Sequence, residues 1–186
     1  MAKFGIVLGM ATLLAGAGHV QAQTVTPDAA AAMLYAPKTA EVELTAPDAL
    51  PKDQAKVLKM VAMDQPYYGA IAISPDEGLM SEATVAAANY HAVEAASAAA
   101  LAECNAKKKG AADCVVVAVV RPEGWQAQPA QLSSDATAAF QADPSGVMAV
   151  SAATGSWGKG ASAEAAIADC QARNVAAQDC AVLIAP

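Results

Sequence analysis

Apolar residues along this chain change their spacing several times, and each change marks an element. Two short runs, Tyr67–Ile73 and Gly146–Ser151, carry strand-favouring residues and end in turn chemistry. The first turn is Ser74-Pro75-Asp76-Glu77-Gly78, and the second spans Ala152 to Gly155. Return strands are predicted at Leu79–Thr84 and through Gly160. The spacing then lengthens to threes and fours. Tyr90, Val93, Ser97, Leu101 and Cys104 mark one face of a helix predicted over Val85–Cys104. Ala163, Ile167 and Cys170 do the same for a helix over Ser162–Arg173. Continuous apolar runs follow at Cys114–Val120 and Cys180–Ala185, each suited to one buried strand.

The order strand, strand, helix, strand therefore occurs twice, and the residues recur with it. Gly69-Ala70-Ile71-Ala72-Ile73-Ser74 and Gly78 match Gly146-Val147-Met148-Ala149-Val150-Ser151 and Gly155. Ala102-Glu103-Cys104 matches Ala168-Asp169-Cys170, and Asp113-Cys114 matches Asp179-Cys180. Self-similarity of this kind is the signature of a duplicated unit. The predicted fold is α+β: two ββαβ modules, residues 67–120 and 146–186, antiparallel strands backed by one helix each and related by a pseudo-two-fold axis.

The segments outside the modules are less regular. Residues 23–66 are interrupted by Pro27, Pro37, Pro47, Pro51 and Pro66. Thr26-Pro27-Asp28 opens a short helix through Tyr35. Pro51–Met63 reads as a second helix, with Ala55, Leu58, Val61 and Ala62 along one side and Lys52, Asp53, Lys56 and Lys59 mostly on the other. Glu41–Leu44 suits a short strand. The pattern leaves open whether this leader packs on the modules or extends as an arm. Residues 121–145 read as a linker holding one short helix, capped by Ser134-Asp135 and ending at Phe140.

The first 22 residues read as a secretory signal. Lys3 supplies the positive end, Phe4–Ala17 the apolar stretch, and Val20-Gln21-Ala22 the small-x-small cleavage pattern. The expected mature protein begins at Gln23, is soluble, and lives in the periplasm or outside the cell. No later stretch is apolar enough to span a membrane. The formal charge of −7 argues against nucleic acid and against adhesion to anionic lipid. Aromatic residues make up only 4% of the chain, so its core must be built from small side chains.

The four cysteines bear on that core. In an oxidising compartment they favour disulfides. Four cysteines allow three pairings, and the repeat favours the local one, Cys104–Cys114 and Cys170–Cys180. Neither copy has the close Cys-x-x-Cys spacing that a redox or zinc site needs.

These motifs resemble a bacterial family of small secreted domains of unknown function. Its modules open on an aromatic-Gly-Ala-Ile-Ala strand, turn at glycine and finish Ala-x-x-Cys…Cys-x-Val; Tyr68–Ile73, Gly78 and Cys104…Cys114-Val115-Val116 are similar, with Ala102 two rather than three residues before Cys104. Gly155-Ser156-Trp157-Gly158 is similar to the family's hairpin. The resemblance covers about 67–120 and 146–185. It implies export and paired cysteines, and it carries no catalytic residues over.

Candidate chemistry is thin. His91 is the only histidine after the signal, and it reads as a half-exposed residue of the predicted helix without a partner motif. Ser74 and Ser151 lie at turns without a nucleophile elbow. Gly158-Lys159-Gly160 lacks the first glycine and the hydroxyl of a phosphate loop. Asp76 and Glu77 are too few for a calcium loop and read as a solvated turn. Lys107–Lys109 read as a wet loop. Pyridoxal-phosphate chemistry, such as that of a 5-aminolevulinate synthase, needs a larger fold than this chain provides. Trp125 in the linker and Trp157 on the second hairpin are the aromatics that need a reason: each pins its segment or anchors a partner. The reading is a monomeric, non-catalytic binding or interaction protein without cofactor or metal. Its binding residues would be Trp125, Trp157 and His91, and its partner an envelope or extracellular protein. The alternative is a small exported enzyme or enzyme inhibitor working through His91.

Overall fold

The computed structural model describes residues 24–186; the predicted signal segment lies outside them. The described chain is α+β. Its helices are α1 (Pro27–Met33), α2 (Lys52–Met63), α3 (Val93–Lys107), α4 (Ser134–Ala142) and α5 (Ala163–Arg173). Its strands are β1 (Ala40–Leu44), β2 (Gly69–Ile73), β3 (Val85–Ala87), β4 (Val115–Pro122), β5 (Val147–Val150), β6 (Trp157–Gly160) and β7 (Ala181–Ile184). They form two antiparallel sheets, ordered β1-β4-β2-β3 and β6-β5-β7.

In each sheet the Gly-initiated strand, β2 or β5, has its return strand on one side and the cysteine-led strand on the other. Pairing with the cysteine-led strand slips by one residue at Ile71/Ala72 and at Met148/Ala149. The extra residues are Val117 and Leu183, each the third after its cysteine. A bulge bends and twists its strand, so both sheets curve at the same place.

The first return strand is not at Leu79–Thr84. Residues 74–84 make successive turns instead, closed by Gly78 N–H on Ser74 O (2.9 Å), Ser81 N–H on Gly78 O (3.3 Å) and Thr84 Oγ1 on Leu79 O (2.7 Å). Val85–Ala87 is the strand, although Val-Ala-Ala alone favours helix; pairing with Ala70–Ala72 overrides that preference. The helix predicted over Val85–Cys104 therefore begins only at Val93. Asn89, at φ 65°, lies just before it in a region no helix tolerates. The buried face of α3 is Val93, Ala96, Ala100 and Cys104, not the line through Ser97 and Leu101. Two alanines on that face let the helix lie close to β2.

Small residues do the same work in the second sheet. A Cβ added at Gly158 would lie 2.1 Å from Cys170 N and 2.4 Å from Ala166 O. Strand β6 and helix α5 thus meet backbone to backbone. Asp169 on α5 reaches past that contact to accept the Lys159 N–H at 3.0 Å. It occupies a donor on an edge strand, which would otherwise invite another chain.

The leader packs; it is no free arm. Strand β1 lies antiparallel to β4, from Ala40 opposite Pro122 to Leu44 opposite Ala118. Val25 bridges Ile184 in parallel, through Val25 N–H to Leu183 O (2.9 Å) and Ala185 N–H to Val25 O (3.0 Å). One segment thereby pairs with the cysteine-led strand of both sheets. The 121–145 segment also contributes core: Ala130, Leu132, Ala136 and Phe140 bury against Met148, Leu183, Ile184 and Ala30 of α1. Its helix is capped by Ser133, one residue earlier than predicted; the Ser133 hydroxyl accepts the Ala136 N–H at 3.3 Å. On α2, Leu58 and Ala62 are buried, but Val61 is 54% exposed and belongs to the opposite side.

Both disulfides have the local pairing, Cys104–Cys114 and Cys170–Cys180. Each joins the end of a helix to the start of the next strand, and each loop is clamped to its hairpin turn. In the first, Glu77 accepts N–H groups from Lys109 (2.8 Å) and Gly110 (3.0 Å), and Asp76 accepts Ala112 N–H (2.8 Å). The turn carboxylates are structural ligands of the loop, not merely solvated. In the second the donor and acceptor sides are exchanged: Asp179 of the loop accepts Ala153 N–H (3.0 Å) and the Ser151 hydroxyl. The lysine run is neutralised locally: Lys107 pairs with Glu103, Lys108 with Asp113 and Lys109 with Glu82.

Two outcomes follow from this packing. Gly158→Ala forces α5 off β6 and is expected to cost about 3 kcal/mol, the upper range for overpacking, read by chemical denaturation. Replacing both members of one disulfide by alanine releases a short loop and is expected to cost roughly 3 kcal/mol in the chain-entropy model, by the same measurement.

Candidate functional site

Three segments distant in sequence meet where the first sheet abuts the second: Asn89–His91, Ser133–Asp135, and the β5–β6 turn at Thr154–Trp157. Asn89 takes a left-handed conformation that asparagine tolerates better than most residues. Its side chain pairs reciprocally with Asp135. Asn89 Nδ2 donates to the carboxylate (2.8 Å), and Asn89 Oδ1 accepts the Asp135 N–H (3.1 Å). Gly155, at φ 72°, lets the second turn press against this backbone. A Cβ there would lie 2.6 Å from Asn89 O.

His91 sits at the centre, only 5% exposed. It is not the half-exposed helical residue predicted, because α3 starts two residues later. Nδ1 accepts the Ser133 N–H at 2.9 Å, which requires the proton on Nε2; Nε2–H then donates to Ser156 O at 3.0 Å. One neutral ring thus bridges all three segments. Burial lowers its pKa from 6.5 to about 4, against smaller opposing effects from Ser156 O and Asp179. With both nitrogens spent on backbone groups, the ring has no lone pair left for general-base work. The neighbouring hydroxyls are committed too: Ser156 Oγ donates to Cys170 O (2.7 Å), and Ser133 Oγ caps α4.

Beside this junction opens a shallow cleft of about 230 Å³, lined by Asn89, Gly155, Ser156, Trp157, Arg173 and Asn174 among others. The Arg173 guanidinium lies 3.9 Å from the Trp157 ring centre. Asp169 fixes it there through Arg173 Nε (3.2 Å) and Nη2 (2.9 Å). Burial would raise the Asp169 pKa, but Arg173 and the Lys159 N–H outweigh it and hold the carboxyl below its ordinary range. The result is a rigid aromatic–guanidinium pair at the mouth of the cleft, partly exposed.

Of the predicted binding residues, the fold brings His91 and Trp157 to one junction and leaves Trp125 apart. Trp125 packs on the first core, with Nε1 donating to Gln131 Oε1 (3.0 Å) and Arg121 over its face at 5.0 Å. It pins its loop. The sequence marks neither Arg173 nor Asn89 as a site residue, and Asp135 only as part of a helix cap. The Asn89–Asp135 and Arg173–Trp157 contacts join different elements, and only the four-residue spacing of Asp169 and Arg173 is local. Among the described residues, no three His, Cys, Asp or Glu side chains are grouped so as to hold a metal ion, and no helix is long and apolar enough to cross a membrane.

No protein-family model matches the chain, and no curated protein or solved structure is detectably similar to it.

The buried ring makes stability acid-sensitive. The unfolded chain takes up this proton at about 6.5 and the folded one only near 4. His91 therefore contributes fully above about pH 6.5, and its contribution is lost as pH falls from there towards 4. The lost stability is about 3 kcal/mol across that window. His91→Gln keeps a donor and an acceptor but does not titrate. Unfolding free energies at pH 7.5 and pH 4.5 should differ by about 2–3 kcal/mol less in the variant than in the parent.

Proposed function

We propose that this chain is an exported, disulfide-stapled, non-catalytic binding protein, built on a duplicated ββαβ unit, that holds an envelope or extracellular protein partner at the cleft beside the two-sheet junction. The observation that carries this reading is the Trp157–Arg173 pair. An aromatic and an arginine, partly exposed and held in register by Asp169, are the residue types that dominate protein interfaces. Pre-positioning lowers the entropy lost on binding.

Export is supported by the signal pattern of residues 1–22 together with two formed disulfides, which persist in oxidising compartments. Duplication is supported by the matching strand order, bulges and disulfides of the two sheets. An enzyme working through His91 is disfavoured because both ring nitrogens are engaged by backbone groups.

The test is affinity capture from envelope and extracellular fractions with the purified, oxidised protein. Arg173→Ala and Trp157→Leu are expected to weaken the captured interaction roughly thirtyfold, the range of interface hot spots. Trp125→Ala is expected to lower stability and leave binding unchanged. A partner retained equally by the Arg173 and Trp157 variants would place the binding surface elsewhere.

A further inference from the structure

Helix α2 presents an unusual outer surface. Val57, Met60, Val61 and Met63 are each more than half exposed. The other large apolar side chains exposed to that degree among the described residues, Met80 and Val175, stand apart in loops. At 3.6 residues per turn, Val57, Met60 and Val61 form one stripe, roughly opposite the buried Leu58 and Ala62. Lys52, Lys56, Lys59 and Met63 form the stripe beside it.

The charges there are also singular. The described residues include ten lysines and arginines, of which Lys107, Lys108, Lys109, Arg121, Lys159 and Arg173 are ion-paired. The remaining four are Lys38, Lys52, Lys56 and Lys59. Three lie on α2, and Lys38 shares a cleft with Met63 at the helix end. A chain of net charge −7 has thus gathered all its unpaired positive charge, among the described residues, around its largest exposed apolar face.

We propose that α2 docks on an anionic lipid surface. The helix would lie in the interfacial plane, with Val57, Met60, Val61 and Met63 entering the headgroup boundary and the four lysines facing lipid phosphates. Charge complementarity argues for an anionic occupant. It argues against a second copy, whose own lysines would face these. The shape argues for lipid over an acidic protein. The stripe is the convex side of a helix, and Val57, Met60 and Val61 line neither adjoining cleft. Four half-exposed side chains fall well short of the roughly 800 Å² per partner that a stable protein interface buries. Reversible adsorption to lipid needs only a short apolar face and a few cations. The acidic remainder of the molecule is repelled by the same surface, which orients the protein with α2 downward. Carboxylates beside the patch reduce its charge without cancelling it: Asp53 and Asp64 stand at the two ends of the Val57, Met60 and Val61 stripe and are outnumbered by the four lysines; Glu43 is paired with Arg121, and Glu41 and Glu123 line the cleft on the far flank of Lys59.

The test is co-sedimentation of the purified, oxidised protein with vesicles of phosphatidylcholine, with and without phosphatidylglycerol. At low ionic strength, binding to the anionic vesicles is expected to exceed binding to the zwitterionic ones at least about tenfold and to fall with added salt. Lys52→Glu/Lys56→Glu/Lys59→Glu and Val57→Ser/Met60→Ser/Val61→Ser should each cut anionic binding at least about tenfold. Every substituted side chain is exposed, so unfolding midpoints near the parent's will confirm that both variants fold. The proposal is overturned by absent binding, by equal binding to both vesicle types, or by binding that neither variant changes. It is equally overturned by a dimer in sedimentation velocity that the serine variant dissolves.

Discussion

A helix made largely of alanine buries little apolar area, so it can stay on a sheet only by lying very close and by being tied there. That constraint governs both halves of this molecule. Helix α3 places Ala96 and Ala100 against β2, and α5 touches the backbone of β6 at Gly158. Each helix is then fastened at its C-terminal end by a disulfide to the strand that follows. The hairpin turns hold the disulfide loops through carboxylate–backbone bonds, in opposite directions in the two halves. Covalent closure and close approach together stand in for the large side chains this composition lacks.

The junction between the halves is polar, unlike the core of either half. A neutral imidazole, an Asn–Asp pair and a glycine pressed on backbone join three segments. The Asn–Asp pair is exposed, but the imidazole is buried, and a buried polar group holds only when its hydrogen bonds are satisfied, as both ring nitrogens are here. The junction fixes one relative placement of the segments and makes that placement sensitive to protonation of a single ring. The cleft with Trp157 and Arg173 opens beside this junction, so the site's shape depends on the same bonds. The leader adds a second constraint by pairing with the cysteine-led strand of both sheets.

Much of the fold was legible because it rests on local signals. Turn residues, the three-four spacing and the cysteine offsets located most of the elements and both disulfides. The errors fell where pairing outweighed propensity. Val85-Ala86-Ala87 became a strand because Ala70–Ala72 was available to pair with it. The site was hardly legible at all. His91 looked unattached because its partners, Ser133 and Ser156, lie 42 and 65 residues away and offer only backbone atoms. Backbone donors and acceptors are identical in every residue, so no motif can encode them. Arg173 is legible only as the last residue of a predicted helix, because nothing local shows that Trp157 lies beside it.

By itself, the sequence determined the α+β class and favoured the local sulphur pairing, since these follow from short-range spacing and composition. Only the tertiary structure decided which charges are neutralised, which histidine nitrogen carries the proton, and which face of α2 remains uncovered. Those properties depend on distances between residues far apart in the chain, and folding alone sets such distances.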